Sequence, residues 1–139
     1  MAAACTFCRV IVGQLPSALV MADEAVVAFL DHRPLFPGHV LVMPREHVET
    51  LMDLPPGDLE PLFGAVQRVS RAVEEALEAD GIFVAVNNRV SQSVPHLHVH
   101  VVPRRKKDGL RGFFWPRAPY AGDDEMAATA GRIRAALRP

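Results

Sequence analysis

One heptapeptide, His96-Leu97-His98-Val99-His100-Val101-Val102, constrains this chain more than any other feature, because three histidines alternate with apolar residues. An extended backbone sends successive side chains to opposite faces. The order therefore fits a strand with Leu97, Val99 and Val101 in a core and three imidazoles lining one wall of a site. Alternate residues on a strand stand about 6.6 Å apart, too far for ring-to-ring hydrogen bonds along a flat strand but close enough to share one ligand. One imidazole can then attack while its neighbours bind or orient. A metal centre is the competing reading, since H-x-H on a strand also presents two ligands. A single strand histidine is usually only a packed or surface residue.

The flanking residues read as an α+β domain with about five antiparallel-leaning strands and two helices. Leu19 to Met21 and Ala25 to Leu30 are β-prone runs separated by Asp23 and Glu24, which predicts a hairpin. His39 to Met43 follows between Pro37-Gly38 and Pro44, and Ile82 to Val86 and Pro95 to Val102 are joined by the polar loop 87–93. Leu59, Leu62, Phe63, Val66, Val69, Val73 and Leu77 recur at three- and four-residue steps, predicting a helix over 58–79 capped by Asp58 and ended by Gly81. Asp123 to Leu137 opens on acids and closes on arginines, the order a helix dipole favours.

Composition excludes several classes. With 139 residues, half of them hydrophobic, the chain can bury a core as one domain over 1–139, its core at about 5–103 and a tail and helix at 104–139. A net charge of −1 provides no field for nucleic acid, and the run Arg104-Arg105-Lys106-Lys107 reads as a solvated loop. No apolar stretch has the length of a membrane span and no signal peptide is evident, so a cytoplasmic protein is expected. There Cys5 and Cys8, three apart, suggest metal binding or redox chemistry more than a structural disulfide. A thioredoxin-like role fits poorly, because that motif follows a strand in a βαβ unit.

The heptapeptide resembles the histidine triad signature, His-φ-His-φ-His-φ-φ with φ apolar. Phe29-Leu30-Asp31 and Pro37 to His47 resemble that family's nucleoside-binding strands, and the likeness runs from Cys5 to about Pro103. It implies a five-stranded antiparallel sheet, joined with that of a second subunit into ten strands. It also implies a nucleotidyl hydrolase or transferase acting at the α-phosphorus of purine nucleoside phosphoramidates or related esters. By the same resemblance His98 is the nucleophile, forming a covalent nucleotidyl-histidine that water hydrolyses with no metal in the step. His100 and His39 contact phosphate oxygens or orient the nucleophile, Ser93 and Gln92 hydrogen-bond the phosphate or leaving group, and Asn87 braces the phosphate site. Asp31 accepts from the ribose hydroxyls, with Leu30 and His32 near the base.

Many members carry a structural Zn²⁺ on two cysteines and two histidines, here Cys5, Cys8, His47 and His96, a closed set with no open position. That makes His96 structural. Where many members have glycine before Gln-Ser, this chain has Ser91, in a loop about two residues shorter. Trp115-Pro116 resembles the ending of some triad phosphoramidases that reaches a dimer partner's site, and an aromatic cluster packed on the sheet is the alternative. Arg104, Arg105 and Lys106 are candidates to draw in the distal phosphates of a dinucleoside polyphosphate. Three rivals follow: a diadenosine polyphosphate hydrolase, a nucleotide-binding regulatory protein with incidental hydrolysis, and a metal-handling protein using all three strand histidines.

Overall fold

Val26 to Leu30 and Val40 to Pro44 are nearly continuous apolar runs, the pattern of strands buried on both faces. In the computed structural model, which describes residues 4–111 and 115–138, they are the second and third strands of one five-stranded sheet. In chain order the elements are α1 (Thr6–Ile11), β1 (Leu19–Ala22), β2 (Val26–Leu30), β3 (Val40–Pro44), α2 (Leu59–Leu77), β4 (Gly81–Val86), β5 (Val99–Arg104) and α3 (Asp123–Ala136). Single 3₁₀ turns lie at Leu51–Asp53 and Pro56–Asp58. The sheet order is β1-β2-β3-β5-β4, every neighbouring pair antiparallel.

The expected hairpin forms, and Asp23 builds its turn by accepting from the N–H groups of Ala25 and Val26 at 2.9 and 2.8 Å. One sheet face carries Val26, Ala28, Val40, Val42, Val99 and Val101 into a core with Leu62, Ala65, Val66, Val69 and Val73 of α2. Leu97 joins this core, so the alternation read from the heptapeptide holds. The other face carries Val27, Phe29, Leu41 and Met43 against Cys5, Phe7 and Cys8 of α1 and its cap. That six-residue helix was not legible in the sequence, being too short for a periodic pattern.

Three local expectations are corrected. The strand expected from Pro95 begins at Val99. Its neighbours pair no further than Val42 and Val86, and Leu97 instead donates to the carbonyl of Val48 at 2.7 Å. Asp58 makes no side-chain cap. α2 ends at Glu78, in the left-handed conformation at φ 51°, while Gly81 opens β4.

The chain divides into two compact units, Met1–Asp108 and Gly109–Pro139. In the second, α3 has the expected order of Asp123, Asp124 and Glu125 first and Arg134 last. Gly112, Phe113 and Phe114 of the expected aromatic tail lie outside the described residues. The basic run is structural at two positions. Arg104 pairs with Asp108 at 2.6 Å, and Arg105 donates to the carbonyls of Leu77 and Glu78, capping α2.

Candidate functional site

Five histidines from β3, β5 and the segments beside them gather on the α1 face of the sheet and divide into two groups. Beyond the end of β5, His96 turns toward α1. Its Nδ1 lies 3.6 Å from Cys5 Sγ, 3.5 Å from Cys8 Sγ and 3.3 Å from Nδ1 of His47, which is itself 3.4 Å from Cys8 Sγ. A tetrahedral zinc with bonds of about 2.3 Å to sulfur and 2.0–2.1 Å to nitrogen has S···N edges of about 3.6 Å and an N···N edge of about 3.3 Å. These four separations match those edges, and all four donor atoms lie within 4.8 Å of one another, so the residues fit such an ion. The Nε2–H of His96 donates to the Pro44 carbonyl at 2.8 Å, which leaves the lone pair on Nδ1 facing the thiols. Burial holds the His96 ring down to about 4, so it is neutral as a ligand must be.

The second group is built by the strand register. Leu41 pairs with His100, which sets His100 on the α1 face, and His39, just before β3, reaches it diagonally. Asp31 lies opposite His39, its N–H donating to the His39 carbonyl at 2.9 Å. Because the backbone N–H of Leu35 points at His39 Nδ1 from 3.1 Å, that nitrogen must accept. The proton of His39 is therefore on Nε2, 2.9 Å from Nδ1 of His100, and the proton of His100 is on its own Nε2. His98 has the opposite arrangement. Its Nδ1–H donates to the carbonyl of His96 at 2.7 Å, leaving the lone pair on Nε2.

All three rings are neutral near pH 7. Burial lowers the proton affinity of His39 and of His98, with Asp31 partly opposing in both. Burial and then the neighbouring His98 and His39 hold His100 down to about 4. The His98 and His100 ring centroids are 5.0 Å apart, so an imidazole lone pair and an imidazole N–H donor stand side by side. A nucleophile beside a donor for developing negative charge is the minimum set for phosphoryl or acyl transfer.

The remaining expected residues are placed less uniformly. Asn87 is half-buried and follows directly on the Val86–Val99 pair, where the ladder ends. Gln92 accepts from the N–H of Arg89 at 2.8 Å and donates to the Glu49 carbonyl at 2.5 Å, stapling the 87–93 loop. Ser93 is exposed and lines a cavity of about 230 Å³ with Cys5, His47 and Glu49. Leu30 and His32 are exposed on either side of Asp31, whose carboxylate accepts from the Arg33 N–H at 2.9 Å. Ser91 takes φ 62°, the region glycine favours. Sequence reasoning missed Phe7, which packs on His98, and Asn88, whose side chain accepts from the Leu51 N–H at 2.8 Å. For Phe7 the available signal was its place between the two cysteines.

The HIT domain profile matches residues 12–107. The protein named Protein hit from Bacillus subtilis is 38% identical over 113 residues, covering 80% of this chain and 78% of its own length. Two relatives bear enzyme names. Adenylylsulfatase HINT3 of Arabidopsis thaliana is 33% identical over 76% of this chain and 55% of its own length. The asymmetrical bis(5'-nucleosyl)-tetraphosphatase of Schizosaccharomyces pombe is 41% identical over 58% of this chain and 46% of its own. Among solved structures, a HIT family member from Bacillus subtilis superposes with a TM-score of 0.88 at 32% identity, covering 98% of this chain and 99% of that one. A Zn-bound histidine triad family protein from Mycobacterium smegmatis gives a TM-score of 0.73 at 34% identity, covering 96% and 98%.

Proposed function

The chain belongs to the HIT domain family, and from that premise we propose that it hydrolyses purine nucleoside phosphoramidates or related nucleotidyl esters through a covalent nucleotidyl-His98. The observation that carries this reading is the fixed tautomer of His98, with Nδ1–H held by the His96 carbonyl and the Nε2 lone pair left for attack. The Nε2 lone pair forms a bond to the α-phosphorus as the bond to the leaving amine or alkoxide breaks. The departing group takes up a proton from solvent, and the Nε2–H of His100 meets the charge on the phosphoryl oxygens. Water then attacks the same phosphorus and releases a proton to solvent, the P–Nε2 bond breaks to restore the neutral His98, and the nucleoside monophosphate leaves.

In this reading His39 orients His100, Asp31 receives the ribose hydroxyls, and Leu30 and His32 flank the base. Asn87 braces the phosphate, with Ser93 and Gln92 serving the phosphate or leaving group from the stapled loop. Zn²⁺ on Cys5, Cys8, His47 and His96 is structural, tying α1 to the start of the histidine segment and supplying no step of the reaction. A second copy of the chain pairs along β4, which lies at the sheet edge with Val84 exposed, to give a ten-stranded sheet. Two zinc-binding thiols suit the reducing cytoplasm. Cleavage of diadenosine polyphosphates is the second reading, favoured by the tetraphosphatase relative.

Base-quenched mass spectrometry after brief incubation with adenosine phosphoramidate, beside diadenosine tetraphosphate, tests the reading. An adenylylated wild type that releases AMP, with neither adduct nor turnover in His98→Ala and zinc retained, is the expected result. Tight AMP binding with no adduct on any substrate would instead identify a nucleotide-binding regulatory protein. Loss of zinc from His98→Ala would point to metal handling.

A further inference from the structure

Phe7 is carried on α1 between Cys5 and Cys8 and is buried, 8% exposed. Its ring meets that of His98 at 5.0 Å between centroids with the planes 88° apart. It meets His96 at 6.1 Å and 68°, and Phe29 at 5.5 Å and 79°. Among the described residues, the hydrogen bond holding the His98 ring is the one at Nδ1. The ring is tethered at Cγ and flanked by His100, so the motion left to it is rocking about the Cβ–Cγ bond, which displaces Nε2. A perpendicular ring packed against the imidazole closes that motion.

We propose that Phe7 is a positioning residue for His98, a wall fixed by the metal-binding cysteines on either side that holds the Nε2 lone pair in line for attack. The proposal rests on the reading of His98 as nucleophile and adds a device to it. The Cys5-Thr6-Phe7-Cys8 segment brings two metal donors and the nucleophile's wall in on one turn of helix, while His96 provides one metal donor and the carbonyl that holds Nδ1–H. The cysteine pair and the nucleophile are thus joined by the short His96-Leu97-His98 backbone and by the packing of Phe7 on the His98 ring. Misplacing an attacking atom by about 1 Å can cost about a hundredfold in rate, so a wall that holds the His98 ring carries weight in the chemical step.

The test uses the full-length zinc-loaded protein, with Phe7→Leu removing the flat ring at similar volume and Phe7→Tyr restoring it. Zinc content, AMP affinity, the single-turnover rate of adduct formation at saturating adenosine phosphoramidate, and the water exchange of the His98 Nδ1–H by ¹⁵N NMR are read together. Phe7→Leu is expected to keep its zinc, to bind AMP within about threefold of wild type, to speed Nδ1–H exchange about tenfold or more, and to slow adduct formation about tenfold to a hundredfold. Phe7→Tyr is expected to recover both the exchange and the rate. Unchanged exchange in Phe7→Leu overturns the proposal. So does loss of zinc in step with activity, or a defect that appears wholly as weaker AMP binding with the saturated rate intact. If wild type forms no adduct with any nucleotide while Nδ1–H exchange still depends on Phe7, the positioning role stands and the nucleophile assignment falls.

Discussion

His39 and His100 form a bond with only one possible direction. The Leu35 N–H occupies Nδ1 of His39, so Nε2 of His39 donates to Nδ1 of His100 across 2.9 Å. That fixes the outward nitrogen of His100 as a donor. His39→Ala removes the constraint and leaves the Leu35 N–H without its acceptor. It is expected to lower kcat on a nucleoside phosphoramidate about tenfold to a hundredfold while AMP affinity, measured by calorimetry, changes little.

The pH dependence follows from the lowered affinities of His98, His39 and His100 for protons. The competent state is neutral, so kcat/KM is expected to stay flat above the ordinary histidine value of 6.5 and to fall only below it as His98 protonates. Stability moves in the same direction. Between 6.5 and about 4 the unfolded chain takes up a proton at His100 that the folded chain refuses, so unfolding becomes easier as pH falls through that window and is unaffected above it. Urea denaturation across this range checks the sign. Higher stability at pH 5 than at pH 7 would contradict it.

Zinc content tests the four-donor cluster apart from catalysis. Cys8→Ser takes away a sulfur that faces both His47 and His96. Wild type is expected to carry about one zinc per chain and Cys8→Ser nearly none, measured by atomic emission, with a cost of a few kcal/mol in calorimetry. The loss is smaller than for a zinc finger because the α2 face of the sheet keeps its own core.

The turn before His39 depends on Gly38. At φ +98° an added Cβ would stand 2.1 Å from Cδ1 of Leu77. Gly38→Ala is expected to destabilise by about 1–3 kcal/mol. Glu78, left-handed at the end of α2, is the opposite case, and Glu78→Gly is expected to stabilise by about 1 kcal/mol. Thermal melts of the two variants should move in opposite directions.

The amino-acid sequence by itself determined which residue types meet. Strict alternation at 96–101 sent Leu97, Val99 and Val101 to one face and three imidazoles to the other, because side-chain direction along an extended chain is a local property. The helix of α2 was legible for the same reason, and C-x-x-C marked a thiol pair suited to a metal or to redox chemistry. Tertiary structure decided what those residues do to one another. The division of the histidines into a metal-fitting ring and a hydrogen-bonded pair depends on β3 lying beside β5 and on α1 closing over that face, contacts separated by 61 to 91 residues. The tautomers of His39, His98 and His100 were set by the Leu35 N–H and the His96 carbonyl, backbone groups that no residue pattern records. Where local signals misled, as in the start of β5 and the end of α2, pairing partners ran out or an arginine capped the helix from a distant loop.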